Sequence, residues 1–305
     1  LMNLKKPKFW DYKKPNFLAY LLYPLTFLIN FFNLLKGKPI NKNFKIKSIC
    51  VGNFYIGGTG KTSLCIKINK ILNQNKIKSC FVKKFYENQI DEINLLKKNG
   101  KLFSSKSRNY ALKQAENQNY DVAIFDDGLQ DSSIKYDLSF VCFNNINWKG
   151  NGLTIPAGPL REKIENLKNY NHVFLNGNLE NIENLKDEIS KINSNINIHL
   201  GKYEPLNIEQ FKKNENYYVF SGIGNHKTFV SMIKNNGLNI VKDKEFPDHY
   251  KYSDNDIKKI ITDANDLSCK IITTEKDFLR LNNNYLNQIH VIKSELKIID
   301  EEKLI

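Results

Sequence analysis

Sulfur is scarce in this chain, and any sign of repetition is missing. Five cysteines occur in 305 residues: Cys50, Cys65, Cys80, Cys142 and Cys269. Their odd number, wide spacing and mostly apolar neighbours exclude a disulfide framework or a zinc-ligand pattern and fit reduced thiols in a cytosolic core. No internal repeat is found, and the Asn- and Lys-rich stretches are too mixed with apolar residues to be disordered. Acidic residues are the minority charge, since 32 Asp and Glu against 46 Lys and Arg give a formal net charge of +14. That balance favours anionic partners such as phosphorylated molecules or acidic lipid. The lysines are scattered rather than striped and no nucleic-acid module accompanies them, so nucleic acid is not an expected partner; no obligate protein partner is expected either. A guanine-reading N-K-x-D motif is also missing, because TTEKD at 273–277 has the wrong order. The length suits two α/β domains, each with its own core.

What is there begins with ICVGNFYIGGTGKTSLCI at 49–66. A short apolar run leads into a glycine-rich turn ending Gly60-Lys61-Thr62, and helical apolar spacing follows. A phosphate-binding P-loop needs that strand, loop and helix: glycines let backbone N–H groups converge on phosphate oxygens, Lys61 reaches the terminal phosphates, and the Thr62 hydroxyl can ligate Mg²⁺. The full pattern would put glycine where Tyr55 stands, and Gly57 and Gly58 supply the flexibility instead. Partition-type ATPases carry a further lysine where this chain has Ile56, which argues against that class. The expected nucleotide contacts are therefore Tyr55, Ile56, Gly57, Gly58, Thr59, Gly60, Lys61 and Thr62, with ATP as the nucleotide.

Only one long apolar run exists, Phe17 to Leu35, uncharged throughout and flanked by Lys13, Lys14, Lys36 and Lys38. It could just span a bilayer, yet Pro24, Asn30 and Asn33 interrupt it, and Tyr20 and Tyr23 suit an interface. Membrane insertion or surface anchoring in the headgroup region is expected, with a buried soluble helix and a true span as the other readings. No small-residue cleavage site follows, which disfavours a signal peptide.

From Lys47 strands and helices alternate. Strands are expected near 47–52, 78–83, 121–126, 138–143, 172–176, 197–203, 217–221, 270–274 and 289–293, with helices near 60–74, 107–118, 180–193, 225–236 and 254–266. This implies mostly parallel sheets covered on both faces, with ligands at the carboxyl ends of the strands. The Gly- and Asn-rich passage after Asn145 reads as a hinge, so the expected domains are 1–38, 39–150 and 151–305. DVAIFDDGLQ at 121–130 places Asp126 and Asp127 where an apolar strand ends, the position of the metal-binding carboxylate in P-loop enzymes. Arg161 closes the hinge passage, able to clamp a phosphate, although a linker arginine is ordinarily solvated. His249 lies in a polar loop, where a histidine is usually just surface.

GNFYIGGTGKT, DDGLQ, LTIPAGPLRE, FSGIGNHKTF, FPDHYKYS and TTEKD, in this order, together resemble one family: tetraacyldisaccharide 4′-kinase, the lipid A kinase of Gram-negative bacteria. The resemblance covers nearly the whole chain, the apolar N-terminal segment included. It implies two α/β/α domains facing a cleft, the first P-loop NTPase-like. The implied reaction moves the γ-phosphoryl group of ATP to the 4′-hydroxyl of a lipid A disaccharide precursor, by an enzyme held peripherally or monotopically at the cytosolic face of the inner membrane. Carried over by motif, Gly57 to Thr62 match the nucleotide loop, Asp126 and Asp127 the magnesium and transition-state carboxylates, and Arg108 and Arg161 two arginines. Asp91 matches a catalytic aspartate and His249 the histidine that partners it, a pair suited to accept the hydroxyl proton. The family's S-R-G-Y-G block is absent, Ile90 and Ile93 replace the Gly and Pro of its G-D-E-P segment, and Asp131 replaces the histidine of DDG-x-QH. A membrane-associated nucleotide-binding regulator, or a kinase that has lost activity, is the alternative these departures leave open.

Overall fold

The computed structural model describes residues 6–34 and 44–304. Leu35, Lys36 and Lys38 of the expected membrane segment and its flank lie outside the described residues. The chain divides into two compact units, one running up to Gly201 and resuming at Ile298, the other Lys202–Lys297. The expected boundary at residue 150 thus falls inside the first unit. The reason is strand pairing: Phe140 to Asn144 pair in parallel with His172 to Asn176, so the strand beyond the hinge passage extends the first sheet.

Elements up to the unit boundary are α1 (Phe17–Leu34), β1 (Lys47–Gly52), α2 (Lys61–Gln74), β2 (Ser79–Lys84), α3 (Ile90–Asn99), β3 (Leu102–Ser105), α4 (Arg108–Asn117), β4 (Val122–Asp126), β5 (Leu138–Asn144), β6 (His172–Gly177), α5 (Ile182–Ile192) and β7 (Asn197–Pro205). They are followed by β8 (Asn216–Ser221), α6 (His226–Asn235), β9 (Asn239–Glu245), α7 (Asp254–Asp266), β10 (Lys270–Thr274), α8 (Glu275–Phe278), β11 (Ile289–Ile292) and β12 (Ser294–Ile299). An eight-stranded sheet has the order β12-β7-β6-β5-β1-β4-β2-β3, and a four-stranded sheet the order β11-β10-β8-β9. Pairings are parallel from β6 through β5, β1, β4 and β2 to β3 and throughout the smaller sheet. The fold is mixed α/β with mostly parallel sheets. Central strands such as SCFVKK are buried along nearly their whole length, as a parallel sheet covered on both faces requires. Cys50, Cys80, Val82, Ala123 and Phe125 on one side pack with Ala111, Leu112 and Ala115 of α4.

β1 lies between β4 and β5; from it the chain runs first to β2, β3 and β4 on one side and then crosses to β5 and β6 on the other. Such a reversal opens a crevice at the carboxyl ends of the strands, and there Val51 stands opposite Asp126.

Five elements are absent from the sequence reading, the four-residue α8 among them. The stretch read only as an acidic segment forms α3, anchored by Ile93 and Leu96. β3 is four residues long, too short for an alternation to show. β9 is an edge strand of mostly exposed residues, NIVKDKE, whose lysines fit an edge protected from further pairing. β12 is an edge strand burying only Leu296 and Ile298.

Among its described side chains, α1 buries a narrow stripe. Ala19 and Thr26 are covered, and Thr26 Oγ1 donates to the Thr154 carbonyl (3.1 Å) and accepts from the Ala157 amide (3.2 Å). Phe17, Leu18, Tyr20, Leu21, Tyr23, Leu25, Phe27 and Leu28 are exposed.

Candidate active site

The loop after β1 is braced by asparagines. Asn53, fully buried, donates from Nδ2 to the carbonyls of Tyr55 (2.5 Å) and Gly57 (3.3 Å). Asn176, at the end of β6, donates to the Thr59 carbonyl (2.6 Å). Gly57 (φ 117°) and Gly60 (φ 77°) occupy backbone space that side chains avoid. Gly60 immediately precedes α2, so the helix start with its outward amides faces the loop, a ready anion site. Tyr55 is buried, and its hydroxyl meets Asp11 and Lys6, so its side chain braces the loop. The Ile56 amide donates to the Pro159 carbonyl (2.9 Å), and the Arg161 amide to the Phe54 carbonyl (2.6 Å). This pairing carries Arg161 out of the expected linker and against the loop.

The two aspartates are separated by the backbone. Asp126, the last residue of β4 and wholly buried, accepts at Oδ2 from Thr62 Oγ1 (3.2 Å) and from Lys83 Nζ (2.7 Å). Asp127 has φ 60°, which turns its side chain elsewhere: Oδ1 accepts from Arg161 (2.6 Å) and lies 4.0 Å from Lys61 Nζ. Burial pushes the Asp127 carboxyl up, but Lys61 and Arg161 outweigh it and bring it down to about 2. Arg108 donates to the Asp127 carbonyl (2.5 Å) and to Asp131 Oδ2 (2.8 Å). A cavity of about 320 Å³ opens here, with Arg108, Arg161, Lys84, Asp127, Gln130 and Tyr86 in its wall. The structure therefore gathers Lys61, Thr62, Asp126, Asp127, Arg108 and Arg161 in one place, a cationic basin beside a phosphate-type loop.

Thr62 and Asp126 fit Mg²⁺ in chemistry, being hard oxygen donors 3.2 Å apart. No cluster of three His, Cys, Asp or Glu able to hold a metal occurs among the described residues; Mg²⁺ ordinarily takes one or two protein carboxylates and completes its shell with water and phosphate.

A family model described as tetraacyldisaccharide-1-P 4′-kinase matches residues 18–305. A protein named tetraacyldisaccharide 4′-kinase from Pelagibacter ubique is 61% identical over 303 residues, covering 99% of this chain and 96% of that one. Another of that name from Rickettsia canadensis is 34% identical, covering 93% of this chain and 91% of its own. The chain belongs to the tetraacyldisaccharide-1-P 4′-kinase family. Its fold is shared with a crystal structure of LpxK from Aquifex aeolicus in complex with ATP, at TM-score 0.66 and 23% identity over 94% of this chain and 97% of that one.

Within this 4′-kinase family frame, Asp131 has a defined place. It stands where the motif has histidine, and its carboxylate grips Arg108 and the Ser133 hydroxyl (2.6 Å). Burial pushes its pKa up, while Ser133 and Arg108 hold it below the usual range. Asp91 lies in the first turn of α3 in the first unit. His249 belongs to the second unit, at φ 59°, with its amide on the Gly222 carbonyl (3.1 Å) and Nδ1 3.5 Å from Arg280.

Sequence reasoning missed Lys83 and Glu92. Lys83 is 2% exposed and its ammonium bridges Asp126 and Glu92, both at 2.7 Å. Burial would lower its pKa, but the two carboxylates hold it above the ordinary lysine value. A lysine in an apolar strand was the one available signal.

Proposed function

We propose that this protein transfers the γ-phosphoryl group of ATP to the 4′-hydroxyl of a tetraacyldisaccharide 1-phosphate lipid A precursor. The observation that carries the reading is the joining of Lys61, Thr62, the Asp126/Asp127 turn and Arg161 around one glycine loop in a chain of this family. The Aquifex aeolicus protein of the same fold was crystallised with ATP, which supports ATP as the donor.

In this reading the Gly57–Gly60 backbone and the start of α2 receive the phosphates, and Lys61 neutralises their terminal oxygens. Thr62 and Asp126 would hold Mg²⁺, which when bound offsets charge developing on the phosphate oxygens. Arg108 and Arg161 are placed at the cavity to stabilise the γ-phosphoryl group, and Asp127 keeps their charges oriented. Asp91 is the proposed acceptor of the hydroxyl proton.

The acceptor lipid stays in a bilayer while ATP stays in water, so the protein works at a membrane surface. No described helix is long and apolar enough to cross a membrane, and the exposed apolar side of α1 supports a helix lying in the interface, at the cytosolic side of the inner membrane. Incubation with radiolabelled ATP and tetraacyldisaccharide 1-phosphate should yield labelled lipid. ATP binding without labelled lipid would favour the regulator reading instead.

A further inference from the structure

Lys83 is hard to explain as part of a core. It is the fifth residue of β2, in register with Asp126 of β4, and it places an ammonium where a parallel strand normally carries an apolar side chain. An ion pair this deep does not usually stabilise more than a well-packed apolar residue would. What the ammonium does have is position. It meets Asp126 Oδ2 at 2.7 Å, the same oxygen that takes the Thr62 hydroxyl, and Glu92 Oε2 at 2.7 Å. Glu92 follows Asp91 in the first turn of α3, a ten-residue helix in which Ile93 and Leu96 are the buried residues. The next residue, Lys84, lies in the wall of the cavity instead.

We propose that Lys83 is a positioning residue that ties the start of α3, and with it Asp91, to Asp126 at the phosphate end of the site. One buried ammonium bridging two carboxylates sets the separation between the group that takes the acceptor's proton and the strand end that faces the nucleotide. The short joint between β2 and α3, where the family's S-R-G-Y-G block is missing, is closed by this bridge. The proposal rests on the phosphotransferase reading for the roles of Asp91 and Asp126, while the tie itself does not.

The test compares full-length wild type, Lys83→Met, Lys83→Arg and Lys83→Met/Glu92→Gln by hydrogen exchange of residues 90–99, thermal unfolding, ATP binding by calorimetry, and kcat and KM for ATP. In Lys83→Met, α3 amide protection is expected to fall about tenfold and kcat about 10²-fold, the scale of a small misplacement of reacting groups, with KM for ATP within about threefold. Lys83→Arg keeps protection and most of kcat. The double variant removes the unpaired charge left on half-buried Glu92 while Asp126 keeps its own, so it regains part of the melting temperature but neither α3 protection nor kcat. Return of kcat with melting temperature in the double variant would show a purely structural lysine and overturn the proposal, as would unchanged α3 protection in Lys83→Met. If Lys83→Met does not fold, Glu92→Gln alone must lower α3 protection or the tie is refuted. Loss of α3 protection in a protein whose wild type labels no lipid would sink the kinase reading and leave the tie standing.

Discussion

Only three arginines occur in the chain, Arg108, Arg161 and Arg280, and the first two converge on Asp127 and Asp131. In so lysine-biased a protein this marks places where a planar fork of donors does what a point charge cannot. Arg161→Lys should therefore lower kcat about tenfold or more, measured in the lipid-labelling assay, and an unaltered rate would return Arg161 to a bystander. Lys61→Ala should abolish transfer, because it removes the loop ammonium placed for the terminal phosphates; wild-type turnover in that variant would displace the loop as the ATP site. Asp91→Ala and His249→Ala should each cut turnover strongly while calorimetry still shows ATP binding, and near-normal turnover would remove that residue from proton transfer. Asp127 adds a pH signature. Its folded-state carboxyl is lowered from 3.8 to about 2, so its ion pairs stabilise the fold above about pH 4 and that stability is lost as pH falls toward 2, on the order of 2 kcal/mol in all. Urea unfolding should show a gap between wild type and Asp127→Asn at pH 7 that narrows below pH 4.

Among the elements, β6 and β7 carry a second titrating feature. His172 and His199 stack at 5.3 Å between ring centres, with Nδ1 of one 3.1 Å from Nε2 of the other, beside Phe140. Burial, and then the neighbouring His172, lower the His199 pKa to about 4. A folded-state pKa below the unfolded one means the unfolded chain takes up the proton first, so stability is complete above about pH 6.5 and declines as pH falls toward 4. His199→Gln should flatten the urea midpoint between pH 7 and 5; an unchanged slope would place the acid sensitivity elsewhere. The long buried strands and the helix after the P-loop were legible because their apolar patterns are unambiguous. β3, β9 and β12 were not, since they are short or lie at sheet edges, where local composition resembles loop, and α3 was not because it buries only Ile93 and Leu96 among polar neighbours.

At the scale of the whole molecule, the exposed face of α1 is the feature that asks for a partner. Burying six of its large apolar side chains in an interface would contribute on the order of 10 kcal/mol before ordering costs. Removing residues 1–38 is a blunt test, because Trp10 Nε1 donates to the Pro156 carbonyl (3.1 Å) and Asp11 reaches Tyr55 beneath the phosphate loop. Replacing Phe17, Leu21, Phe27 and Leu28 with serine spares those contacts and the Thr26 anchor. This variant should no longer sediment with anionic vesicles and should lose activity on lipid-embedded acceptor while binding ATP normally. Continued sedimentation at high salt would show that another surface is the anchor.

The sequence by itself determined the alternation of strand and helix, the glycine loop with Lys61 and Thr62, the carboxylates at a strand end and the family, because each depends on residues adjacent in the chain or on motifs in fixed order. Tertiary structure alone decided which side chains meet. Register between β2 and β4 sets Lys83 against Asp126, the left-handed backbone at Asp127 turns that carboxylate away from Thr62 and toward Arg161, and pairing of Tyr55 with Leu160 converts an apparent linker into a wall of the site. Parallel strands are joined by long crossovers, so residues that share a carboxyl end are distant in sequence, and no local pattern records their meeting.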